Sequence, residues 1–195
     1  MARYDPATAL LIVDLQNDFA DPSGSLYVPG GEALPRFLNR EIARAAAAGA
    51  PVVYTQDWHP PITPHFKKDG GIWPVHCVAG SWGADFHPDL ERRGELVIRK
   101  GTGGEDGYSA FAVRDPDSGA TAATPLAALL AERGVRRLVV AGLATDYCVK
   151  ETVLDARRLG FPVTVLRDGI AAVNLAPGDG ERALAEMAAA GAVLE

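Results

Sequence analysis

Short runs of adjacent apolar residues alternate along this chain with longer stretches whose apolar positions recur at helical spacing. Ala9 to Val13, Pro51 to Thr55, Glu95 to Arg99, Arg136 to Ala141, Phe161 to Leu166 and Ala192 to Leu194 read as strands. In the fourth, Leu138 to Ala141 is uninterrupted, as in a strand covered on both faces. Leu34, Phe37, Leu38, Ile42 and Ala45 share one face of a helix from about Pro35 to Ala48, with Gly49 as its stop. Thr124 and Pro125 open a second helix that Gly134 ends. Thr145 or Asp146 caps a third, which carries Val149, Val153, Ala156 and Leu159 on one face before Gly160, and Gly180 to Ala190 is the last. This alternation predicts an α/β fold, three-layer α/β/α around a six-stranded parallel sheet of Rossmann-like topology, with its ligand at the carboxyl ends of the strands.

Two stretches lack periodicity. The first, at about 58–94, is long for a connection inside a compact domain and contains every histidine of the chain. The second, Gly101 to Ala123, is rich in Gly and Asp. No repeat or composition shift divides the sequence, so residues 1–195 read as a single domain with an insertion at about 58–94.

A length of 195 residues at 48% hydrophobic content supports one sizeable core. The net charge of −6 argues against nucleic acid or an anionic membrane as partner, because either requires a basic face. A small molecule is the default partner, and a homo-oligomer is compatible with the sequence without being specified by it. The opening Met-Ala-Arg-Tyr-Asp-Pro lacks the apolar run of a signal peptide, and no apolar segment approaches the ~18 residues of a membrane span, so a cytoplasmic protein is expected. In that compartment Cys77 and Cys148 are expected as free thiols.

The chemistry gathers where strands end. Gly142 to Val149, Gly-Leu-Ala-Thr-Asp-Tyr-Cys-Val, places Cys148 in a first helical turn, where the macrodipole favours a thiolate and free backbone amides can hold an oxyanion. The competing reading of Cys148 is a small buried hydrophobe. Asp14 and Lys100 fall at other strand ends, and together they supply a base and a cation for a cysteine nucleophile. Asp57, His59, His65 and His76 form a second set, whose carboxylate and imidazole donors suit zinc, iron(II) or manganese. Cys77 lacks a helix N-terminus and reads as packing.

Ile12 to Phe19 (Ile-Val-Asp-Leu-Gln-Asn-Asp-Phe), Gln56-Asp57-Trp58-His59, Trp73 to Cys77, Gly83 to His87, Arg99-Lys100-Gly101, Tyr108 to Phe111 and Gly142 to Val149 occur in the order found in one known family. On these residues the chain resembles the nicotinamidases (pyrazinamidases) of the isochorismatase-like cysteine hydrolase superfamily over nearly its whole length. The resemblance implies an Asp14, Lys100 and Cys148 triad and one divalent metal ion, zinc, iron or manganese, on Asp57, His59, His65 and His76. It further implies an oxyanion hole from the amides of Ala144 and Cys148, and ring contacts from Phe19, Trp73 and Tyr108. A cis peptide between Leu143 and Ala144 is also implied. The activity it implies is hydrolysis of nicotinamide to nicotinate and ammonia in NAD salvage, with pyrazinamide as a further substrate. Two alternatives stand beside it. One is another cysteine amidohydrolase of the superfamily acting on a different small amide. The other is a dinucleotide-binding module using the glycine run from Gly101 to Gly107.

Overall fold

The computed structural model describes residues 4–94 and 96–195. Met1 to Arg3 of the opening stretch, and Glu95, the expected start of the third strand, therefore lie outside the described residues. The strands in chain order are β1 (Thr8–Val13), β2 (Val52–Asp57), β3 (Val97–Lys100), β4 (Ala112–Arg114), β5 (Thr121–Ala123), β6 (Arg137–Leu143), β7 (Val163–Ala171) and β8 (Val193–Leu194). The α-helices are α1 (Asn17–Ala20), α2 (Leu34–Ala47), α3 (Leu126–Glu132), α4 (Lys150–Arg158) and α5 (Asp179–Ala189). Among the described residues, no helix is long and apolar enough to cross a membrane.

One sheet has the order β3-β2-β1-β6-β7-β8, and every neighbouring pair in it is parallel. The chain steps outward from β1 to β3 on one side and from β6 to β8 on the other. The strand order thus reverses between β1 and β6, and a crevice opens at their carboxyl ends. Both faces of the sheet are covered. Leu10 and Ile12 pack with Leu34, Leu38 and Ile42 of α2, whereas Leu11 and Val13 pack with Leu126, Val153, Ala156 and Met187 of α3, α4 and α5. Each such Leu, Ile or Val contributes about 1.5–3 kcal/mol of burial, so β1 stabilises both layers at once.

Four local features depart from the sequence expectation. Strand β2 continues to Asp57 and β3 to Lys100, which pair directly across the sheet. The Gln16 side chain secures that end, donating to the Asp57 carbonyl at 2.7 Å and accepting from the Asp57 amide at 2.8 Å. Strand β7 runs past Leu166 to Ala171, because an irregularity opposite Val140 and Gly142 lets it pass the exposed Arg167-Asp168 pair and resume pairing at Ile170. Strands β4 and β5 form a short antiparallel hairpin inside the 101–123 stretch, and the full exposure of β5 removes any alternation that would announce it. Finally, neither Thr145 nor Asp146 caps an α-helix. Thr145–Val149 is a π-helical turn in which the Val149 amide donates to the Ala144 carbonyl at 3.0 Å. Asp146 instead accepts from the amides of Val173 and Asn174, at 2.9 and 2.8 Å, pinning the loop after β7.

Gly142 sits at φ +119°, and a Cβ there would stand 2.1 Å from the Val13 carbonyl oxygen of β1. The two central strands approach each other too closely for any side chain at this position. Gly142→Ala is expected to cost about 3 kcal/mol or more, through both the clash and the backbone conformation. A denaturant midpoint equal to that of the parent would refute this.

Candidate active site

Asp14 follows β1 directly and is held at φ +45°, a conformation that a non-glycine residue adopts only when its surroundings fix it. Thr55 of β2 supplies that fixing: its hydroxyl accepts the Asp14 amide at 3.1 Å and donates to Asp14 Oδ1 at 2.5 Å. Asp14 Oδ2 accepts from Lys100 Nζ at 2.6 Å. The same ammonium donates to the Gly107 carbonyl and lies 3.5 Å from Cys148 Sγ. Asp14 and Lys100 are completely buried, and Cys148 nearly so.

Charge follows from this burial. Desolvation works against the Lys100 ammonium, but the neighbouring Asp14 and Cys148 more than restore it, and the amine stays protonated well above its ordinary range. Burial lifts the Asp14 carboxyl above the usual carboxylate value despite the pull of Lys100. Burial likewise pushes the Cys148 thiol well up, and Lys100 offsets only part of that. The resting group is therefore a thiol, not the thiolate expected from a helix terminus. The turn is enclosed, and a thiolate would sit against the Asp14 and Asp57 carboxylates. Deprotonation at Cys148 then belongs to an adjacent base, and Asp14 stands within the same cluster.

The second set converges beside the first. Asp57 Oδ2 is 3.0 Å from His59 Nε2 and 3.3 Å from His76 Nε2. His76 Nδ1 lies 2.7 Å from the Pro74 carbonyl, which can only accept, so in the neutral ring Nε2 keeps its lone pair. His65 turns Nδ1 to Asp106 Oδ1 at 2.6 Å, leaving its Nε2 free. Burial holds the His65 imidazole below its ordinary value, hence neutral, against the opposing pull of Asp106. Burial also raises Asp57, but His59 and Lys100 pull it further down and keep it a carboxylate.

One donor atom from each of Asp57, His59, His65 and His76 lies within 4.8 Å of all the others, and all four residues are buried. Asp57 Oδ1 and His59 Nδ1 have no hydrogen-bond partner. Lone pairs gathered in a buried space repel one another unless a cation lies among them, and orphaned polar atoms there are costly. Three imidazoles with one carboxylate fit a divalent cation.

A cavity of about 440 Å³, including its mouth, opens between the two sets and lies at the small end of the range for small-molecule sites. Phe19, Trp73, Tyr108, Ala144 and Cys148 line it, with Asp57, His65 and His76 at the cation end. The Trp73 indole donates to the Tyr108 hydroxyl at 2.7 Å, locking two of the aromatic walls together. Ala144, after the cis Leu143–Ala144 bond, and Cys148 lie on the same wall. Spacing alone missed Leu26, Val28, Gly107, Tyr147 and Val173, which complete the lining, as well as Thr55 and Asp106 behind it. Only Thr55 left a trace, as a polar residue inside an apolar strand. The glycine run from Gly101 opens no helix. Gly101 instead packs against His59, where a Cβ would stand 2.5 Å from the ring, and Gly107 packs against Lys100. That run serves this site and offers no seat for a pyrophosphate.

An isochorismatase domain matches residues 8–195. The nicotinamidase of Escherichia coli is 42% identical, the match covering 97% of this chain and 94% of that protein. The pyrazinamidase of Pyrococcus horikoshii, solved in complex with zinc, superposes with a TM-score of 0.86 at 39% identity, covering 97% of this chain and 99% of that one. PnC1 from L. infantum, solved in complex with nicotinate, gives a TM-score of 0.88 at 42% identity, covering 100% and 95% of the two chains.

Proposed function

The chain belongs to the isochorismatase family, and on that footing we propose that it is a nicotinamide amidohydrolase, releasing nicotinate and ammonia for pyridine-nucleotide salvage and acting likewise on pyrazinamide. The observation that carries the reading is the Lys100 ammonium held between Asp14 Oδ2 at 2.6 Å and Cys148 Sγ at 3.5 Å, behind the point where Cys148 lines an aromatic cavity. The nicotinate bound by the L. infantum relative supports the choice of ring.

Catalysis starts from thiol, carboxylate and ammonium. Phe19, Trp73 and Tyr108 hold the ring and turn its carboxamide carbon toward Cys148. Asp14 takes the Sγ proton as the sulfur attacks that carbon, and the carbonyl π electrons move to oxygen. The amides of Ala144 and Cys148 receive the oxyanion, a preorganised arrangement in which one lost donor costs roughly 10²–10³ in rate. Lys100 remains charged throughout and stabilises the negative sulfur and carboxylate in turn. Collapse breaks the C–N bond, the Asp14 proton leaves on ammonia, and a thioester remains on Cys148. Asp14 then accepts a proton from water as the water oxygen attacks the thioester. The C–S bond breaks, Asp14 returns its proton to sulfur, and nicotinic acid departs, giving up its carboxyl proton to solvent as nicotinate.

Asp57, His59, His65 and His76 would hold a divalent cation, zinc, iron(II) or manganese, which would supply Lewis acidity to acidify water at that end of the cavity. Chelation is accordingly expected to lower ammonia release from nicotinamide by about tenfold or more, with recovery when the ion is restored. An unchanged rate in metal-free protein would contradict the cation's part. Ammonia released from another small amide but not from nicotinamide would move the reading to a different substrate of the same family.

A further inference from the structure

We propose that Asp106 is a positioning residue of the cation site. Its carboxylate fixes His65 with Nδ1 protonated and turned outward, so that Nε2 faces Asp57, His59 and His76, and it thereby sets how tightly the site holds a divalent ion. The assignment rests on the reading of those four residues as the cation site.

Three of the four have anchors of their own. Asp57 belongs to β2. His59 is tied through its backbone to Cys77 and Ala79, at 3.0 and 2.8 Å. His76 donates to Pro74 and precedes Cys77, whose amide is held by Asp18 at 2.7 Å. The His65 backbone has a local tie, its carbonyl accepting from the Trp73 amide at 3.4 Å, but the hold on its ring comes from some forty positions later. The Asp106 carboxylate meets its Nδ1 at 2.6 Å, and the Thr63 hydroxyl, which accepts the His65 amide at 3.1 Å, donates to the Gly104 carbonyl at 2.7 Å.

Asp106 is itself braced. Its amide donates to the Arg114 carbonyl at 2.7 Å, and the Arg114 amide donates back at 3.0 Å, in an antiparallel bridge to the β4–β5 hairpin. That gives the hairpin, which joins no strand of the main sheet, a task. A carboxylate on the far nitrogen of an imidazole fixes the tautomer and strengthens the facing lone pair as a ligand. The next two residues extend the link, since Gly107 accepts from Lys100 and Tyr108 accepts from Trp73. One tripeptide therefore touches the cation site, the triad and the ring cavity.

The test uses full-length protein stripped of metal and titrated with zinc against a chromophoric chelator, with cobalt(II) absorption recorded in parallel. Asp106→Ala is expected to weaken zinc binding about 10- to 100-fold and to alter the cobalt bands, while the melting temperature of the metal-free protein stays at the parent's. Asp106→Asn, whose amide oxygen still accepts from Nδ1–H but carries no charge, is expected to lose less, and it carries the test if the alanine variant does not fold. Zinc affinity within twofold of the parent in both variants, with an unchanged cobalt spectrum, would overturn the proposal. So would a loss of affinity matched by an equal loss of metal-free stability, which would mark a structural role alone. A parent protein that binds no zinc or cobalt would instead overturn the cation-site reading beneath it.

Discussion

Cys148→Ala abolishes ammonia release from nicotinamide, with kcat falling by about four orders of magnitude or more, because among the described residues Cys148 is the one thiol that lines the cavity. Cys77, the second thiol, is buried away from the lining, and burial together with the Asp57 and Asp18 carboxylates pushes it well above the ordinary thiol range. The substitution removes one sulfur atom from the wall and with it the Lys100 contact to Sγ, but leaves the Asp14–Lys100 pair and the four cation-site residues in place. Metal binding and nicotinamide affinity should therefore survive in a protein that no longer turns over. Steady-state ammonia release, set beside equilibrium binding of nicotinamide to the variant, checks both halves. Residual turnover near the parent's would remove the covalent mechanism.

Lys100→Met has the largest expected effect on stability. The ammonium is completely buried and is the cation facing Asp14. Without it that carboxylate is buried and unpaired, a change that typically costs about 3–5 kcal/mol. Asp14 can avoid part of the penalty by keeping its proton, which raises its folded-state value further above the unfolded one. The sign follows: the variant is least impaired at pH below the unfolded carboxyl value and loses stability as pH rises through the raised folded value. Activity is lost across that whole window, since a protonated Asp14 cannot take the Sγ proton. Denaturant unfolding of the parent, Lys100→Met and Asp14→Asn/Lys100→Met as a function of pH checks the account. The double variant should regain most of the stability and none of the activity. A single variant as stable as the parent at neutral pH would show that the pair is not what holds Asp14 in place.

The strand cores and α2 were legible because burial writes itself into sequence as uninterrupted apolar runs and helical periodicity. Leu138 to Ala141 and the face of Leu34, Leu38 and Ile42 are examples. The gathering of Asp14, Lys100 and Cys148 was legible for a topological reason: parallel strands put all their carboxyl ends on one rim. The supports behind them were not. Thr55 lies 41 positions from Asp14, and Asp106 lies 41 from His65, and a hydrogen bond across such a separation leaves no periodic signal. Strand ends failed in a related way. The reach of β2 to Asp57 depends on a side chain, that of Gln16, acting where a backbone would. At Cys148 a sequence shows a helix terminus but not how completely the fold encloses it.

The most direct measurement is the simultaneous release of ammonia and nicotinate from nicotinamide by the purified, metal-loaded protein, with Cys148→Ala run alongside. The account predicts both products in equal amounts from the parent and neither from the variant. No product from metal-loaded parent, or equal product from the variant, would contradict it.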